Sequence, residues 1–414
     1  MRTAVNPERF RSNLPRMVLS EVKTGSLRST PRSGGYGQGP PGSRRVVMAF
    51  HEPLLSGATI SALRTVPLLV ERGWAVSFWT PAPGPCFSWL DERGADVRGE
   101  PRPLASSLRG MRLPPGFVRR ARASPGYLIR FCGTLRTLRP QVFHANSLFT
   151  FQEALTAERV LGIPTLAHVH DMAPAGKRGS ARAICRHGVT KTIAVSQACA
   201  ASYAHDGWSP EVVYEAAPLP TNAAPVRESP RPFVIGTVGV VARRKGSDLF
   251  VAAARGLMER HPGRFEFRMV GSPNDPFDRE WGESVIAEAK AAGIVYMPEA
   301  DVVSQFQEWD CFALPSRVDP CPIAMLEAMA SGLPVVGTRV DGIAEQITPE
   351  CGFLVPGDDA SALAAAVEQV ANSPAGQRRE MGKAGRARVA SAFSIESQAQ
   401  ALHESYLATL GESP

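Results

Sequence analysis

The sequence has little of the chemistry that would cross-link the chain or carry it through a membrane. Seven of its 414 residues are cysteine, and they are scattered, with no C-x-x-C pair and no Cys/His cluster at metal-ligand spacing. This pattern argues against a disulfide framework or a structural zinc site and predicts a reducing, cytoplasmic setting. No apolar run approaches the roughly 18 residues of a membrane-spanning helix, and the first residues lack the apolar core of a signal peptide. We therefore expect any membrane contact to be peripheral, on the inner face.

Two further absences narrow the classes of function. No G-x-G-x-x-G follows a predicted strand, which disfavours a dinucleotide-dependent dehydrogenase. The arginines lack an aromatic platform or a recognition motif, so nucleic acid is not expected as a partner. The formal net charge of +7 favours anionic partners such as phosphorylated metabolites or acidic lipid headgroups.

The chain is too long for a single hydrophobic core, and its composition divides it. Residues 1–43 are rich in Arg, Ser, Gly and Pro, which predicts a disordered basic tail. From residue 44, apolar runs such as RRVVMAF and WAVSFWT alternate with amphipathic helical patterns. This alternation predicts an α/β domain with a doubly wound, mostly parallel sheet.

The same alternation begins again after a proline-rich stretch at residues 217–232, with runs such as FVIGTVGV and FEFRMVG. We therefore predict two Rossmann-like domains, residues 44–222 and 223–393, followed by a helical segment at residues 394–414. Two such domains place a cleft between the carboxyl ends of two parallel sheets, where open α/β folds bind their ligands.

The stretch PSRVDPCPIAMLEAMASGLPVVGT at residues 315–338 carries the most specific chemistry. Proline disfavours the helical region for the residue before it and suits the first position of a helix, so a helix is predicted to begin at Pro322. The N–H groups of Ile323 and Ala324 then lack partners within the helix, and they point at the cleft with the positive end of its dipole. This predicts a site for an anion such as a phosphate.

Two carboxylates flank this predicted helix start. Asp319 precedes it, and Glu327 lies about a turn and a half into the helix on a side chain that tilts back towards the N-terminus. A phosphate over the helix start, with a carboxylate on each side to grip sugar hydroxyls, is the simplest chemistry that this spacing serves. An ordinary strand, turn and helix with two solvated acids is the alternative. Gly332 is predicted to end the helix in a left-handed conformation.

With these motifs in place, the sequence resembles the family 4 glycosyltransferases, which are retaining enzymes of the two-domain GT-B fold. The resemblance covers roughly residues 45–411, and its most specific mark is the E-x7-E motif, present here as Asp319-x7-Glu327. The segment FVIGTVGVVARRKGSDL resembles the family's phosphate-binding strand, loop and helix, and SGATISALRTVPLLVERGWAV resembles its first glycine-containing loop. The resemblance implies an N-terminal acceptor domain, a C-terminal nucleotide-sugar domain and a last helix that crosses back to the first domain.

Three departures from the family's pattern stand out. The first acid of the motif is Asp319, one methylene shorter than the usual Glu, so its contact with the donor sugar is expected to differ or to pass to the nearby backbone. Val240 stands where an arginine commonly follows the glycine of the phosphate-binding strand. The Asn-Gly pair often found before the linker is absent, since the chain reads VVYEAAPLP.

The resemblance implies which cations meet the donor diphosphate. Lys245 would neutralise the diphosphate as it leaves, because a charge-assisted contact at developing negative charge favours the transition state. Arg243 and Arg244 are the candidate replacements for the missing arginine. A solvated basic turn is the alternative for all three.

The resemblance also implies contacts to the rest of the donor. Gly57 would let the first helix approach the diphosphate, with an ordinary tight turn as the alternative. Glu327 would bind the ribose of the nucleotide. Asp319, with the backbone around Cys321 and Ile323, would hold the donor sugar.

The remaining candidate residues lie at predicted strand ends. His170 resembles the family's histidine beside the reactive carbon of the donor sugar, where it would orient the sugar and shield the developing oxocarbenium charge. A buried core histidine is the alternative. His144 and Asn146 are candidates for acceptor contacts, and Tyr296 and Met297 for contacts with the nucleobase, although such side chains at a strand end are more often core.

The reaction that the resemblance implies is same-face substitution, in which the leaving β-phosphate oxygen takes the proton of the acceptor hydroxyl. The family generally needs no divalent metal, and the sequence has no D-x-D motif, so a nucleotide-diphosphate sugar is expected as co-substrate without a metal or cofactor. The segment at residues 102–139 has nine arginines and no acidic residue. An anionic or lipid-linked acceptor, or contact with an anionic membrane, would suit it, with a solvated face as the alternative.

Two other functions stay open beside a retaining glycosyltransferase of glycan or glycoconjugate biosynthesis. One is another nucleotide-sugar enzyme, such as an epimerase or a pseudo-glycosidic coupling enzyme. The other is a degenerate, non-catalytic homologue that acts as a partner protein, for which Val240 and Asp319 are the supporting observations.

Overall fold

The computed structural model describes residues 35–80, 84–99, 125–173, 188–204, 207–228, 231–275 and 278–413. Within these ranges no helix is long and apolar enough to cross a lipid bilayer. The strands form two sheets, one in each half of the chain, and the strand pairs in both sheets are parallel.

The first sheet has the strand order β3-β2-β1-β4-β5-β6-β7. Its strands are β1 Arg44–Ala49, β2 Trp74–Thr80, β3 Val97–Gly99, β4 Val142–Ala145, β5 Thr165–Val169, β6 Lys191–Ala194 and β7 Glu211–Val212. Successive strands are added on one side of β1 up to β3 and on its other side from β4 to β7, so the strand order reverses between β1 and β4. The loops after these two strands therefore open at the switch point where α/β sheets bind ligands.

The second sheet has the strand order β10-β9-β8-β11-β12-β13. Its strands are β8 Phe233–Val238, β9 Phe265–Val270, β10 Val295–Met297, β11 Cys311–Leu314, β12 Val335–Thr338 and β13 Gly352–Val355. Here the switch point lies between β8 and β11. The loop after β8 carries Lys245 and the loop after β11 carries Asp319, so the topology brings these two residues together.

The helices cover the sheets and follow the strands. In chain order they are α1 Gly57–Glu71, α2 Pro85–Asp91, α3 Pro125–Leu138, α4 Phe151–Leu161, α5 Gln197–Ser202, α6 Ser247–Arg260, α7 Arg279–Ala291, α8 Val302–Phe306, α9 Ile323–Ala330, α10 Ile343–Gln346, α11 Ala360–Asn372, α12 Ala375–Ala392 and α13 Ile395–Thr409. Gly332 has φ of 82° and follows α9, as the sequence predicts, because glycine adopts the left-handed conformation without a Cβ clash.

The predicted pair of doubly wound domains with a helix that crosses back to the first domain is confirmed. Three strands were not predicted, namely β3, β7 and β13. All three lie at sheet edges and have two to four residues. Such short edge strands carry too few residues to show an apolar period in the sequence.

The prediction of a disordered tail up to residue 43 is wrong for residues 35–43, while residues 1–34 lie outside the described part. Tyr36 N donates to Arg93 O at 3.0 Å, and Val76 N donates to Gly37 O at 2.7 Å. The Tyr36 ring packs edge-on against Trp89, with centroids 5.3 Å apart. One aromatic side chain therefore docks a Gly/Pro-rich segment whose composition alone indicates disorder.

The last helix, α13, packs against α1 and the first sheet, although it follows the second domain in the chain. Leu402 and Tyr406 are 1% and 0% exposed within the core of the first domain. The Tyr406 ring lies 5.0 Å from that of Trp74, and its hydroxyl is 2.8 Å from Nδ1 of His144. Helix α13 is thus a structural part of the N-terminal domain.

We expect Tyr406→Phe to lower the free energy of unfolding by about 1–3 kcal/mol, because His144 Nδ1 then loses its buried partner while the ring packing is kept. Urea unfolding measures the change. Glu404→Gln, on the exposed face of the same helix, is the matched control and should change stability by about 0.5 kcal/mol or less. A Phe variant as stable as the wild type would contradict the hydrogen bond.

Candidate active site

The start of α9 forms the floor of the cleft in the second domain. The helix begins at Ile323, one residue later than predicted, because Pro322 is extended with φ −70° and ψ 115° and serves as the N-cap. The first hydrogen bond of the helix runs from Leu326 N to Pro322 O at 3.4 Å. The N–H groups of Ile323 and Ala324 precede it and have no partner within the helix. The predicted pair of donors is therefore in place.

The start of α1 faces the start of α9 across the cleft. A Cβ atom built on Gly57 lies 3.5 Å from Cδ1 of Ile323. The N-cap residue of α1, Ser56, makes no side-chain capping hydrogen bond to the helix. Two helix N-termini, one from each domain, thus direct their positive ends at the same small space.

A buried ion pair lies beside this space. Lys245 Nζ donates to Asp319 Oδ2 at 2.6 Å, and the two side chains are 17% and 5% exposed. Ser316 Oγ donates to the same carboxylate oxygen at 3.0 Å. Burial lowers the pKa of Lys245, Asp319 opposes that shift and the nearby Arg244 adds to it. The Asp319 carboxylate therefore supports the lysine, and its contact with a donor sugar stays a prediction.

The turn that carries Lys245 presses on the end of β11. Gly246 has φ of 63°, and a Cβ atom built there would lie 1.9 Å from Pro315 O. Only glycine combines this left-handed conformation with so close a backbone contact. The contact fixes the distance between the lysine turn and the segment that carries Asp319.

The two arginines of the same turn have different surroundings. Arg243 is 62% exposed, with Nε 3.6 Å from Asp278 Oδ1 and its guanidinium 4.8 Å from the centroid of Trp281. These contacts hold Arg243 against Asp278 and Trp281, and its diphosphate contact stays a prediction. Arg244 lies close enough to lower the pKa of Lys245, and its buried Nε has no hydrogen-bond partner among the described residues. Arg244 is therefore the better placed of the two candidates.

Glu327 meets the opposite domain. Its Oε1 accepts from Arg64 NH2 at 2.7 Å, with Arg64 on α1. The side chains are 11% exposed for the arginine and 19% for the glutamate. Arg64 was missed in the sequence, although a signal exists: it follows Gly57 by seven residues, which is two helical turns on the same face.

His170, directly after β5, is held at both ring nitrogens. Nδ1 is 2.9 Å from Glu215 Oε1, and Nε2 is 3.2 Å from Asn146 Oδ1. The ring is 11% exposed and lies against the buried His168 at a tilt of 41°, with centroids 4.1 Å apart. In the part of the chain that the structure describes, no group of three or more His, Cys, Asp or Glu residues is arranged to hold a metal ion.

The predicted acceptor contacts of His144 and Asn146 do not fit their positions. These residues are 0% and 1% exposed, so neither is open to an acceptor in this structure. Burial lowers the pKa of His144 to about 3, and its ring is therefore neutral. Asn146 contacts His170, and His144 contacts Tyr406 in the core of the first domain.

The other predicted residues flank the core. Tyr296 is half-buried, with Lys290 Nζ 5.2 Å from its ring centroid, and Met297 packs against the core of the second domain. These contacts match the core alternative, and the nucleobase role stays a prediction. Cys321 packs against first-domain residues such as Val169, and burial raises the pKa of its thiol.

A second carboxylate joins the domains near the linker. Glu345, on α10, accepts hydrogen bonds from the backbone N of Gln197 at 2.9 Å and of Ala198 at 2.7 Å. Tyr214 Oη donates to the same side chain at 2.8 Å. Glu345 therefore caps the start of α5 from the opposite domain and holds the cleft in the observed arrangement.

Two protein-family models match the chain, one on each side of the linker. The model described as Glycosyltransferase Family 4 matches residues 55–216. The model described as Glycosyl transferases group 1 matches residues 232–373. The first match covers β2 to β7 of the first sheet, and the second match covers the whole second sheet.

Several curated proteins are similar in sequence. The lipopolysaccharide core biosynthesis mannosyltransferase LpsB of Rhizobium meliloti (strain 1021) is 30% identical over 181 residues, which cover 42% of this chain and 50% of LpsB. Glycogen synthase of Mycobacterium tuberculosis (strain ATCC 25618 / H37Rv) is 26% identical over 305 residues, covering 68% of this chain and 72% of that protein. The putative colanic acid biosynthesis glycosyltransferase WcaL of Escherichia coli (strain K12) is 32% identical over 151 residues. The chain spans 50% of the length of LpsB and 36% of that of WcaL.

Solved structures share the fold. Sucrose-phosphate synthase from Thermosynechococcus elongatus superposes with a TM-score of 0.72 at 18% identity, covering 89% of this chain and 99% of that one. Anabaena HepE in complex with UDP and glucose superposes with a TM-score of 0.73 at 16% identity, covering 88% of this chain and 100% of that one. At these identities the likeness concerns the fold alone.

We expect Asp319→Asn to lower the free energy of unfolding at neutral pH by about 3–5 kcal/mol, because Lys245 then remains as an unpaired buried charge. The double variant Lys245→Met with Asp319→Asn should recover most of this loss. Urea unfolding of the four proteins gives the coupling energy as a double-mutant cycle. Additive effects of the two substitutions would contradict the pair.

The stability of the Asp319→Asn variant should depend on pH in a defined direction. The folded-state pKa of Lys245 lies below its unfolded value because of burial, so the unfolded chain binds more protons and stability rises with pH. Without Asp319 that pKa falls further. The loss of stability in Asp319→Asn should therefore shrink as the pH rises through the lowered pKa of Lys245. Urea unfolding across alkaline pH measures this loss. A loss that does not change with pH would contradict the assignment.

We expect Glu345→Gln to loosen the contact between the domains, because an amide has one oxygen acceptor where the carboxylate serves three donors. Small-angle scattering should show a larger radius of gyration. Glu350→Gln, at an exposed position in the same domain, is the control. Unchanged scattering from the Glu345 variant would show that this contact does not hold the cleft closed.

Proposed function

The chain belongs to the family 4 glycosyltransferases of the GT-B fold, and from this premise we propose that it moves a sugar from a nucleoside diphosphate sugar to an acceptor hydroxyl with retention of configuration. One observation carries the proposal: two helix N-termini, one from each domain, meet in the cleft, and Lys245 is paired with Asp319 four residues before the second helix. The N–H groups at Gly57 and Ile323 supply partial positive charge from opposite sides. Lys245 supplies a full charge. This arrangement suits a diphosphate, which carries negative charge at both ends.

The donor would displace internal contacts as it binds. Glu327 would release Arg64 and accept hydrogen bonds from the ribose hydroxyls, while Arg64 remains beside the anionic nucleotide. Asp319 would keep Lys245 in place, and the backbone of Cys321 and Ile323 would contact the sugar. The support for these roles is the position of each side chain around the two helix starts.

The reaction conserves charge without a covalent enzyme intermediate. The bond from the anomeric carbon to the diphosphate oxygen breaks, and a bond to the acceptor oxygen forms on the same face of the sugar. The acceptor proton passes to the leaving phosphate oxygen, so the products are a glycoside and a nucleoside diphosphate. Lys245 and the helix N-termini stabilise the charge that develops on the diphosphate, and the two domains exclude water that would hydrolyse the donor.

The proposal also includes the absence of a metal requirement, the cellular location and the class of acceptor. Fixed positive charge from the protein would take the place of a divalent metal, so chelation should leave turnover unchanged. A cytoplasmic location would supply the nucleotide sugar. The arginine-rich segment at residues 102–139, of which residues 102–124 lie outside the described part, would meet an anionic or lipid-linked acceptor at the inner membrane face.

Nucleotide binding is tested by thermal shift with UDP, GDP, ADP and dTDP. A nucleotide that binds only the folded state at about 100 times its Kd adds about 2.7 kcal/mol of stability and raises the melting temperature. UDP is the first choice because the structural neighbour HepE has been solved with UDP and glucose. No shift with any of the four would contradict the donor site.

Turnover is tested with the matching nucleotide sugars, with release of the nucleoside diphosphate as the readout. We expect Lys245→Met to lower kcat by about 100- to 1000-fold, the usual loss when one stabiliser of developing charge is removed. Lys383→Met, exposed and paired with Glu380, is the control. Lys245→Met with wild-type turnover would contradict the mechanism. A wild-type protein that binds nucleotide but turns over no donor would favour a non-catalytic homologue.

A further inference from the structure

A buried carboxylate in the connection between β7 and β8 lies outside the donor site described above. Glu215 is 3% exposed and belongs to the segment VVYEAAPLP. A buried carboxylate costs free energy unless partners satisfy both of its oxygens. Its partners therefore show what the side chain does.

The two oxygens of Glu215 have partners from three elements. Oε1 is 2.9 Å from His170 Nδ1 at the end of β5. Oε2 accepts from Gln398 Nε2 on α13 at 3.0 Å and from Ser61 Oγ on α1. The carboxylate is thus held in one orientation, with one oxygen directed at the histidine.

The second ring nitrogen of His170 also faces an acceptor. Nε2 lies 3.2 Å from Asn146 Oδ1. The Asn146 amide is oriented by its own donor, since Nδ2 donates to Ala58 O at 3.3 Å. A neutral imidazole has one N–H and one acceptor nitrogen, whereas the imidazolium donates from both. Two oxygen acceptors therefore suit the doubly protonated ring.

The surrounding histidines do not share this charge. Titratable side chains near His170 include His168 on β5, His144 on β4 and Glu215 in the linker, and Cys321 of the second domain lies close to Glu215. Burial lowers the pKa of His168 and of His144 well below the ordinary value, and a charge on His170 lowers each further. His168 and His144 are therefore neutral, and of the three rings His170 is the one that contacts Glu215.

We propose that Glu215 is a positioning residue that holds His170 as an imidazolium with a fixed ring plane, so that Nε2 presents a proton to an oxygen of the bound donor. Ser61 and Gln398 hold Glu215 in turn. The last helix of the chain thereby reaches the reaction centre through two side chains, Gln398 and Glu215, without touching the substrate.

The ion pair of His170 with Glu215 would favour the proposed reaction. This part of the inference rests on the proposed function. The ion pair of His170 with Glu215 is neutral overall, so the ring can donate a hydrogen bond without placing net positive charge beside a carbon that becomes cationic. The donor oxygen would take the place of Asn146 Oδ1 as the acceptor. No bond to the protein forms or breaks.

The protonation state is tested in the substrate-free protein by ¹⁵N chemical shifts of the histidine side chains, with His170→Asn for assignment. At about one pH unit above the usual imidazole pKa of about 6.5, we expect both nitrogens of His170 in the protonated range. Glu215→Gln should return one nitrogen to the unprotonated range. Glu211→Gln, a 65% exposed carboxylate in the same segment, is the control and should leave the spectrum unchanged. An unprotonated nitrogen in the wild-type ring would overturn the proposal.

Kinetics with the donor found above supply the second readout. We expect Glu215→Gln to lower kcat by about 10- to 100-fold with less than about a threefold change in the KM for the donor, because the contact strengthens in the transition state. Gln398→Leu should give a smaller loss in the same direction. Wild-type kcat in Glu215→Gln, or an effect confined to KM, would refute the positioning role.

The two measurements separate this inference from the proposed function. The spectrum needs neither donor nor acceptor, so it decides the protonation state even if no nucleotide sugar is turned over. If Glu215→Gln fails to fold, the wild-type spectrum and Gln398→Leu still decide the outcome. A singly protonated His170 in an active glycosyltransferase would reject the inference alone.

Discussion

The constraint on which this structure depends is that parallel sheets direct the starts of their following helices to one edge. Each domain offers one such start at its switch point, Gly57 in the first and Ile323 in the second. Because the domains face each other, the two starts lie close together. A Cβ atom built on Gly57 would be in van der Waals contact with Cδ1 of Ile323. The backbone N–H groups of both helix starts therefore place partial positive charge in the same space without a charged side chain. The side chains around this space adjust its charge and shape.

Charges in the cleft are balanced in pairs. Lys245 pairs with Asp319 inside the second domain, and Arg64 pairs with Glu327 across the cleft. Such pairs offset the desolvation that isolated ions would suffer. They also hold the charged side chains in defined positions around the helix starts.

The departures from the family's pattern become intelligible once the contacts are known. The shortened acid Asp319 reaches Lys245 and Ser316, so its carboxylate is held by contacts within the second domain. The segment that lacks Asn-Gly carries Glu215, which reaches His170 from the linker. These two departures keep a charged side chain in the cleft region, whereas Val240 stands where an arginine is common.

The sequence by itself determined the alternation of strands and helices, the restart after the proline-rich linker, and the motif from Asp319 to Glu327. These are local patterns, set by residue spacing of two or about four and by proline and glycine, so they can be read along the chain. What the tertiary structure decided were the partners. Arg64 meets Glu327 over 263 positions and Gln398 meets Glu215 over 183, while Tyr36 gains its order from Trp89. Contacts of this kind depend on how two domains and a returning helix pack, and side-chain spacing along the sequence carries no record of that packing.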